Sequence, residues 1–393
     1  MPPSPLTAAI RRFPLLGRPR PDCPALPLRI QEIADAVDAA RQKADHGMAD
    51  AAHALNKAAL IASDAGMTDL ARHLCWQHID TYRHAGRPLT ILEARYLLEP
   101  VLNLARLQIR TDQGTAAVRL LESMYSAVTK RCDLVVTDRT LPLANLVGEP
   151  ADRRQLRQWV WLQLIGEGVR ALALAGRWDA AAEHARHYNG IGDHLMEGRQ
   201  ADIIKHCLRG DRPQARTVLA ETTTTEPWEQ DVAACLHLMC LHASDEPTAP
   251  TDSMPLLQAA VTRYDGCIGT ANYASYRARL GLIIATLADS ISPSMATSLL
   301  SRVATNAISS ADGYAARDVL GFRDLIEGIT DAQRSGLNCL AGEAGLAIGT
   351  LPESILQSLT AVSDEAAAVL HAALAARSVV HTSVAIKSGV TTR

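Results

Sequence analysis

The chain has 393 residues, with 39 basic residues against 42 acidic ones and a net charge of -3. That length implies two or three domains or one elongated array, and the charge balance disfavours a protein built around a nucleic-acid backbone. Aromatic residues are only 4 % of a composition that is 48 % hydrophobic, so the core must be Ala, Leu, Val and Ile, as in close-packed helices rather than large β-sandwiches.

In chain order, residues 1–28 carry Pro at 2, 3, 5, 14, 19, 21, 24 and 27. That density removes backbone donors and is expected to forbid a regular helix. The segment reads as a flexible Pro/Arg-rich arm, its basic charge suited to weak attraction toward an acidic surface. From about 29 to 243 apolar residues recur at three- and four-residue spacing, with Gly, Asp or Pro at the breaks, which predicts helix after helix. DLVVT at 133–137 is the nearest approach to a strand and reads as a loop between helices. Residues 244–255, SDEPTAPTDSMP, read as a linker, 256–376 as further helical repeats and 377–393 as a disordered tail. Ser292 before Pro293 and the Thr350-Leu-Pro-Glu353 box are predicted helix starts.

An internal pattern organises the middle of the chain. Gly66, Gly176 and Gly210 are each followed five positions later by Ala (Ala71, Ala181, Ala215), and Asp112 with Ala117 fits if Asp replaces the Gly. A residue able to enter the left-handed region lets one helix end sharply, and a small Ala lets the next pack closely back upon it. With Trp178 beside Gly176, and Gly210 standing 34 residues further on, the chain resembles the tetratricopeptide-repeat (TPR) family. The phrases ALNKAALIASDAG and VLNLARLQIRTDQG are also similar to the repeat regions of actinobacterial regulators, here without an N-terminal helix-turn-helix. The resemblance implies an all-α fold of TPR-like helical hairpins in a right-handed superhelix that binds a peptide or protein.

Chemical motifs are sparse. Cys235, His237, Cys240 and His242 cannot all face one metal on a helix. His184 and His187 share a face but read as solvated surface residues, and His73, Cys75 and His78 fail the same face test. Gly166-Glu-Gly168-Val-Arg-Ala171 lies in a helical run with no strand before it, so it is not a dinucleotide loop. No phosphate loop, zinc-protease or nucleophile-elbow motif occurs. The expectation is a non-enzymatic, regulatory or scaffolding protein with no cofactor and no metal. Its eight cysteines are scattered, and neither a leader nor an 18-residue apolar run is evident, so it reads as cytoplasmic, without a membrane partner and with a homodimer left open. An α-helical accessory enzyme acting on a small metabolite is the alternative.

The candidate binding residues are Asn56 in ALNKA and Asn103 in VLNLA, with Lys57, Arg106 and Arg110 nearby. A carboxamide offers an acceptor and two donors, so each Asn is expected to pair with the C=O and N–H of a bound peptide, the cations meeting a carboxylate. The alternative reading is that they are ordinary polar positions on amphipathic helices.

Overall fold

The computed structural model describes residues 4–43, 47–83, 85–243, 250–267, 269, 271–322 and 326–388. Of the described residues, 73 % are helical. In order, α1 (Pro5–Ile10), α2 (Leu26–Gln42), α3 (Met48–Asp64), α4 (Thr68–Arg83), α5 (Ile91–Arg110) and α6 (Gly114–Lys130) precede a small hairpin of β1 (Leu134–Val136) and β2 (Arg139–Leu141). There follow α7 (Pro150–Leu174), α8 (Trp178–His187), α9 (Glu197–Leu208), α10 (Arg212–Ala220), α11 (Pro227–Leu241) and α12 (Pro250–Gly266). The last elements are α13 (Ala274–Ala288), α14 (Pro293–Ser309), α15 (Gly313–Leu320), α16 (Asp331–Glu343) and α17 (Glu353–Ser388).

The turns explain the succession. Gly66, Gly176 and Gly210 have φ of 86°, 70° and 72°, and Asp112 takes the same left-handed place at 61°. After each, the next N–H reaches back five residues: Met67 to Ala62 O, Gln113 to Gln108 O, Arg177 to Leu172 O and Asp211 to His206 O, at 2.8–3.0 Å. This is the Schellman arrangement, which satisfies carbonyls that a helix end leaves unpaired. Ala71, Ala117, Ala181 and Ala215 are all fully buried. Ala311, at φ 52° and followed five positions later by buried Ala316, makes a left-handed turn without that bond, its next N–H meeting Ser310 Oγ at 3.3 Å; it escapes the sequence pattern because its glycine, Gly313, follows the turn and opens α15.

DLVVT is not a loop: Leu134, Val135 and Val136 pair with Leu141, Thr140 and Arg139 across a turn with Thr137 at φ 58°. Leu134, Val136 and Leu141 are buried, and β1 packs on α6. The Thr350 box is not formed, since α17 begins at Glu353 and the Leu356 N–H bonds to Pro352 O. Ser292 does stand at the N-cap of α14, ahead of Pro293.

The chain divides into two units that ignore sequence order: residues 1–25 with 165–346, and residues 26–164 with 347–393. The expected boundary at 244–255 is not one of these divisions. Residues 244–249 lie outside the described residues, and 250–255 belong to α12. In the second unit α17 packs on α2, α3 and α4 through Leu359, Val362, Ser363, Ala366, Leu370 and Leu374, all buried. Its stretch Glu353–Ala376 is long and apolar enough to cross a membrane, with a mean hydropathy of 1.2. The expected disordered tail at 377–393 is helical as far as Ser388, and 389–393 lie outside the described residues.

In the first unit α9, α11, α13 and α15 contact one another in sequence, so the first helices of successive hairpins form a row. The N-terminal segment lies in this unit and is not a free arm. Phe13, Leu15 and Cys23 are each 1 % exposed. Leu15 donates its N–H to Gln200 Oε1 at 2.8 Å and accepts from Gln200 Nε2 at 2.8 Å. Nor does proline density exclude regular helix here: α1 forms at Pro5–Ile10, with Ser4 as its N-cap and Pro5 at its first position, where a missing N–H costs nothing. Beyond it, main-chain groups left unpaired are taken up by partners that sequence proximity does not reveal.

A polar seam between α3 and α5

Helices α3 and α5 lie side by side in the second unit, joined by a ladder of polar pairs. His53 and Tyr96 stack edge to face with ring centroids 5.3 Å apart. Two turns along α5, Asn103 Nδ2 donates to Asn56 Oδ1 at 2.5 Å, and two turns further Arg110 Nη1 donates to Ser63 Oγ. The α5 members, 96, 103 and 110, are seven apart, which brings each back to nearly the same helix face. Capping by Thr90 and Glu93 fixes the start of α5: Thr90 Oγ1 accepts from Glu93 N, and Glu93 accepts from Thr90 N. Glu93, fully buried, is also held by both Nη atoms of Arg87 at 2.8 Å.

All five residues singled out in the sequence therefore lie on or beside one seam. Arg106 Nη1 donates to Asn103 Oδ1 at 3.0 Å, and Lys57 Nζ donates to Glu32 Oε2 of α2 at 2.9 Å. Arg110 also faces the fully buried Asp64 carboxylate, with Nη2 3.1 Å from Oδ1, an ion pair without aligned hydrogen-bond geometry. The other oxygen accepts from Arg29 Nη2 at 2.6 Å.

One expectation needs correction. The asparagines do not present wholly free amides to a ligand, because each oxygen already accepts one bond within the seam, Asn56 Oδ1 from Asn103 and Asn103 Oδ1 from Arg106. Asn56 Nδ2 is the donor on the seam's partly exposed asparagine pair. Between the Tyr96 and Asn103 rungs stands Glu99, whose partial burial raises its pKa while His53, Arg95 and Arg106 oppose the shift. Leu60, 39 % exposed, lies on α3 between Asn56 and Ser63. His53, Ser63, Tyr96 and Glu99 were not anticipated; the heptad spacing of 96, 103 and 110 was the available signal.

Behind the seam, His78 is 1 % exposed and Tyr82 2 % exposed, and neither ring nitrogen nor the phenol oxygen has a hydrogen-bond partner among the described residues. Burial first, and the His53 charge second, push the His78 pKa down to about 3. On another face of α4, an open cleft of about 410 Å³ is lined by His73, Trp76, Gln77, Asp80, Thr81 and Arg139. Its charges are engaged internally: Arg139 Nη2 is 2.8 Å from both Asp80 oxygens, and its guanidinium lies 3.9 Å over the Trp76 ring.

His184 is buried against Gly168 rather than solvated: a Cβ at Gly168 would stand 2.2 Å from its Nε2. The Gly166–Ala171 stretch is helical, inside α7, so Gly168 serves helix packing. Cys240 Sγ lies 3.8 Å from Cys207 Sγ, and all eight cysteines are free thiols. Compared with protein-family models, curated proteins and solved structures, the chain matches none.

Proposed function

We infer that this is a TPR-like helical-hairpin protein, cytoplasmic and non-catalytic, that binds a carboxylate-bearing peptide or protein segment through the α3/α5 seam in a regulatory or scaffolding role. The supporting observation is the Asn56–Asn103–Arg106 chain, assembled from asparagines 47 residues apart and left partly exposed. Arg106 and Arg110 suit a ligand carboxylate, and Leu60 supplies an apolar contact beside them.

The test is titration of the full chain with an array of peptides bearing Asp or Glu side chains and free C-termini. Asn103→Ala and Arg106→Ala should each weaken capture about 5- to 150-fold, the range for losing a hydrogen-bond partner at a desolvated contact. Helicity should be unchanged. Capture unaffected by either variant would place the binding surface elsewhere. A co-purifying small molecule that the protein converts would favour the enzyme alternative instead.

A further inference from the structure

In the first unit, residues 12–23 lie across the row of first helices in the manner of a bound peptide. After a turn at Arg12 and a bend at Pro14 they form neither helix nor strand, with Phe13, Leu15 and Gly17 buried and Pro14 and Leu16 half-buried between them. That alternation belongs to a segment with one face in a groove. The main chain is held at successive helices. Gln200 of α9 clasps both polar groups of Leu15, and its orientation is fixed by a third bond from Nε2 to Leu195 O at 2.7 Å. Arg20 N–H donates to Asn272 O at 2.9 Å just before α13. Cys23 N–H donates to Asp312 Oδ2 at 2.9 Å, and its carbonyl accepts from Gly313 N–H at 2.8 Å, at the start of α15. Arg279 of α13 donates to Arg12 O.

The dimensions agree with this placement. Eight residue steps from Leu15 to Cys23 span about 26 Å in extended form. Three helix-to-helix steps, from α9 to α15, span about 24–30 Å at ordinary packing distances.

Selectivity is built in at Gly17. A Cβ there would lie 2.1 Å from Trp228 Cβ and 2.4 Å from its Cγ, the root of the side chain and not a flexible end. Arg18 follows, 3.8 Å from Glu197 Oε1. The groove thus reads Phe-Pro-Leu-x-Gly-Arg: apolar contacts at Phe13 and Leu15, no side chain at Gly17, a cation at Arg18.

The segment's covalent route matters as much as its contacts. After Ala25 the chain enters the other unit at Leu26 and returns only at Ile165. Within the first unit, the N-terminal segment as a whole, residues 12–23 together with α1 that precedes them and packs on α13, is therefore held by non-covalent contacts alone.

We propose that the row formed by α9, α11, α13 and α15 is a peptide-binding groove, separate from the α3/α5 seam, whose resting occupant is residues 12–23. Its ligand in trans is an extended segment with the same apolar-Pro-apolar-x-Gly-basic pattern. The tethered segment competes at the high effective concentration that covalent linkage provides, so the wild-type chain takes a free peptide weakly and a chain with a loosened segment takes it well.

The experiment uses the full-length chain and a fluorescein-labelled peptide of residues 9–25. Gly17→Val weakens the internal occupant without altering the groove wall, and it should raise affinity for the free peptide at least tenfold over wild type. Adding Gln200→Ala to that variant should reverse the gain. In the wild-type chain, hydrogen exchange should show the Leu15, Arg20 and Cys23 amides opening while the α9 and α13 amides stay protected. A Gly17→Val chain that keeps its helical spectrum yet binds no peptide overturns the proposal. If Gly17→Val fails to fold, the wild-type exchange decides: those three amides exchanging only together with α9 and α13 would make residues 12–23 a core element.

Discussion

In the first unit the Gln200 carboxamide makes three bonds to main-chain groups and is fully buried. At the seam of the second unit, Asn103 and Asn56 bond to each other and remain half-exposed. Residues of the same chemistry thus serve opposite ends, one closing a surface over the chain's own backbone, the other pre-ordering a surface that stays open. The difference teaches where substitutions should matter. A buried amide leaves unsatisfied partners when removed, whereas a solvated one hands its partners to water.

The largest effect should come from the charge beneath the seam. Asp64→Ala leaves Arg29, whose side chain is 7 % exposed, without its carboxylate, and should destabilise the second unit by about 3–5 kcal/mol. Urea unfolding followed through Trp76, Trp159 and Trp161, which all lie in that unit, measures it. A loss under about 1 kcal/mol would mean the seam rests on something other than this pair.

Acid should separate the units next. His78 is neutral when folded, with its pKa depressed to about 3 from 6.5. The stability this contributes is present above pH 6.5 and is lost as pH falls toward the folded value, at about 1.4 kcal/mol per pH unit. By pH 4.5 the second unit should have lost about 3 kcal/mol, and His78→Leu should flatten that dependence. An unchanged pH profile in the variant would show that other groups set the acid limit.

Gln200→Ala should destabilise the first unit by about 2–3 kcal/mol, since the Leu15 N–H and two carbonyls lose their partner in a dry setting. Thermal melting reported by Trp178 and Trp228 tests this. The smallest effect should be Asn56→Ala, under about 1 kcal/mol in stability, because its partner can turn to solvent. If Asn56→Ala proves as damaging as Gln200→Ala, the contrast between the two surfaces fails.

The hairpin turns were legible in the sequence, down to Asp112 standing where other turns have Gly, because a left-handed residue followed by a small helix residue is a local requirement. The β-hairpin was missed because its turn relies on Thr137 at positive φ, a conformation that a β-branched residue seldom signals. The seam was half legible. Five of its residues could be named, but not that Asn56 and Asn103 would occupy each other's polar groups.

Sequence alone determined what depends on neighbours a few residues away: helices from apolar spacing, turns from Gly and Asp, tight hairpins from Ala. Tertiary structure alone decided the fate of the proline-rich N-terminus, whose partners at Gln200 and Asp312 lie 185 and 289 residues along the chain. It also decided how the units divide, with α17 returning to α2–α4. Both outcomes turn on which distant surface satisfies an unpaired backbone group or covers an apolar face, and a local pattern states that need without naming what meets it.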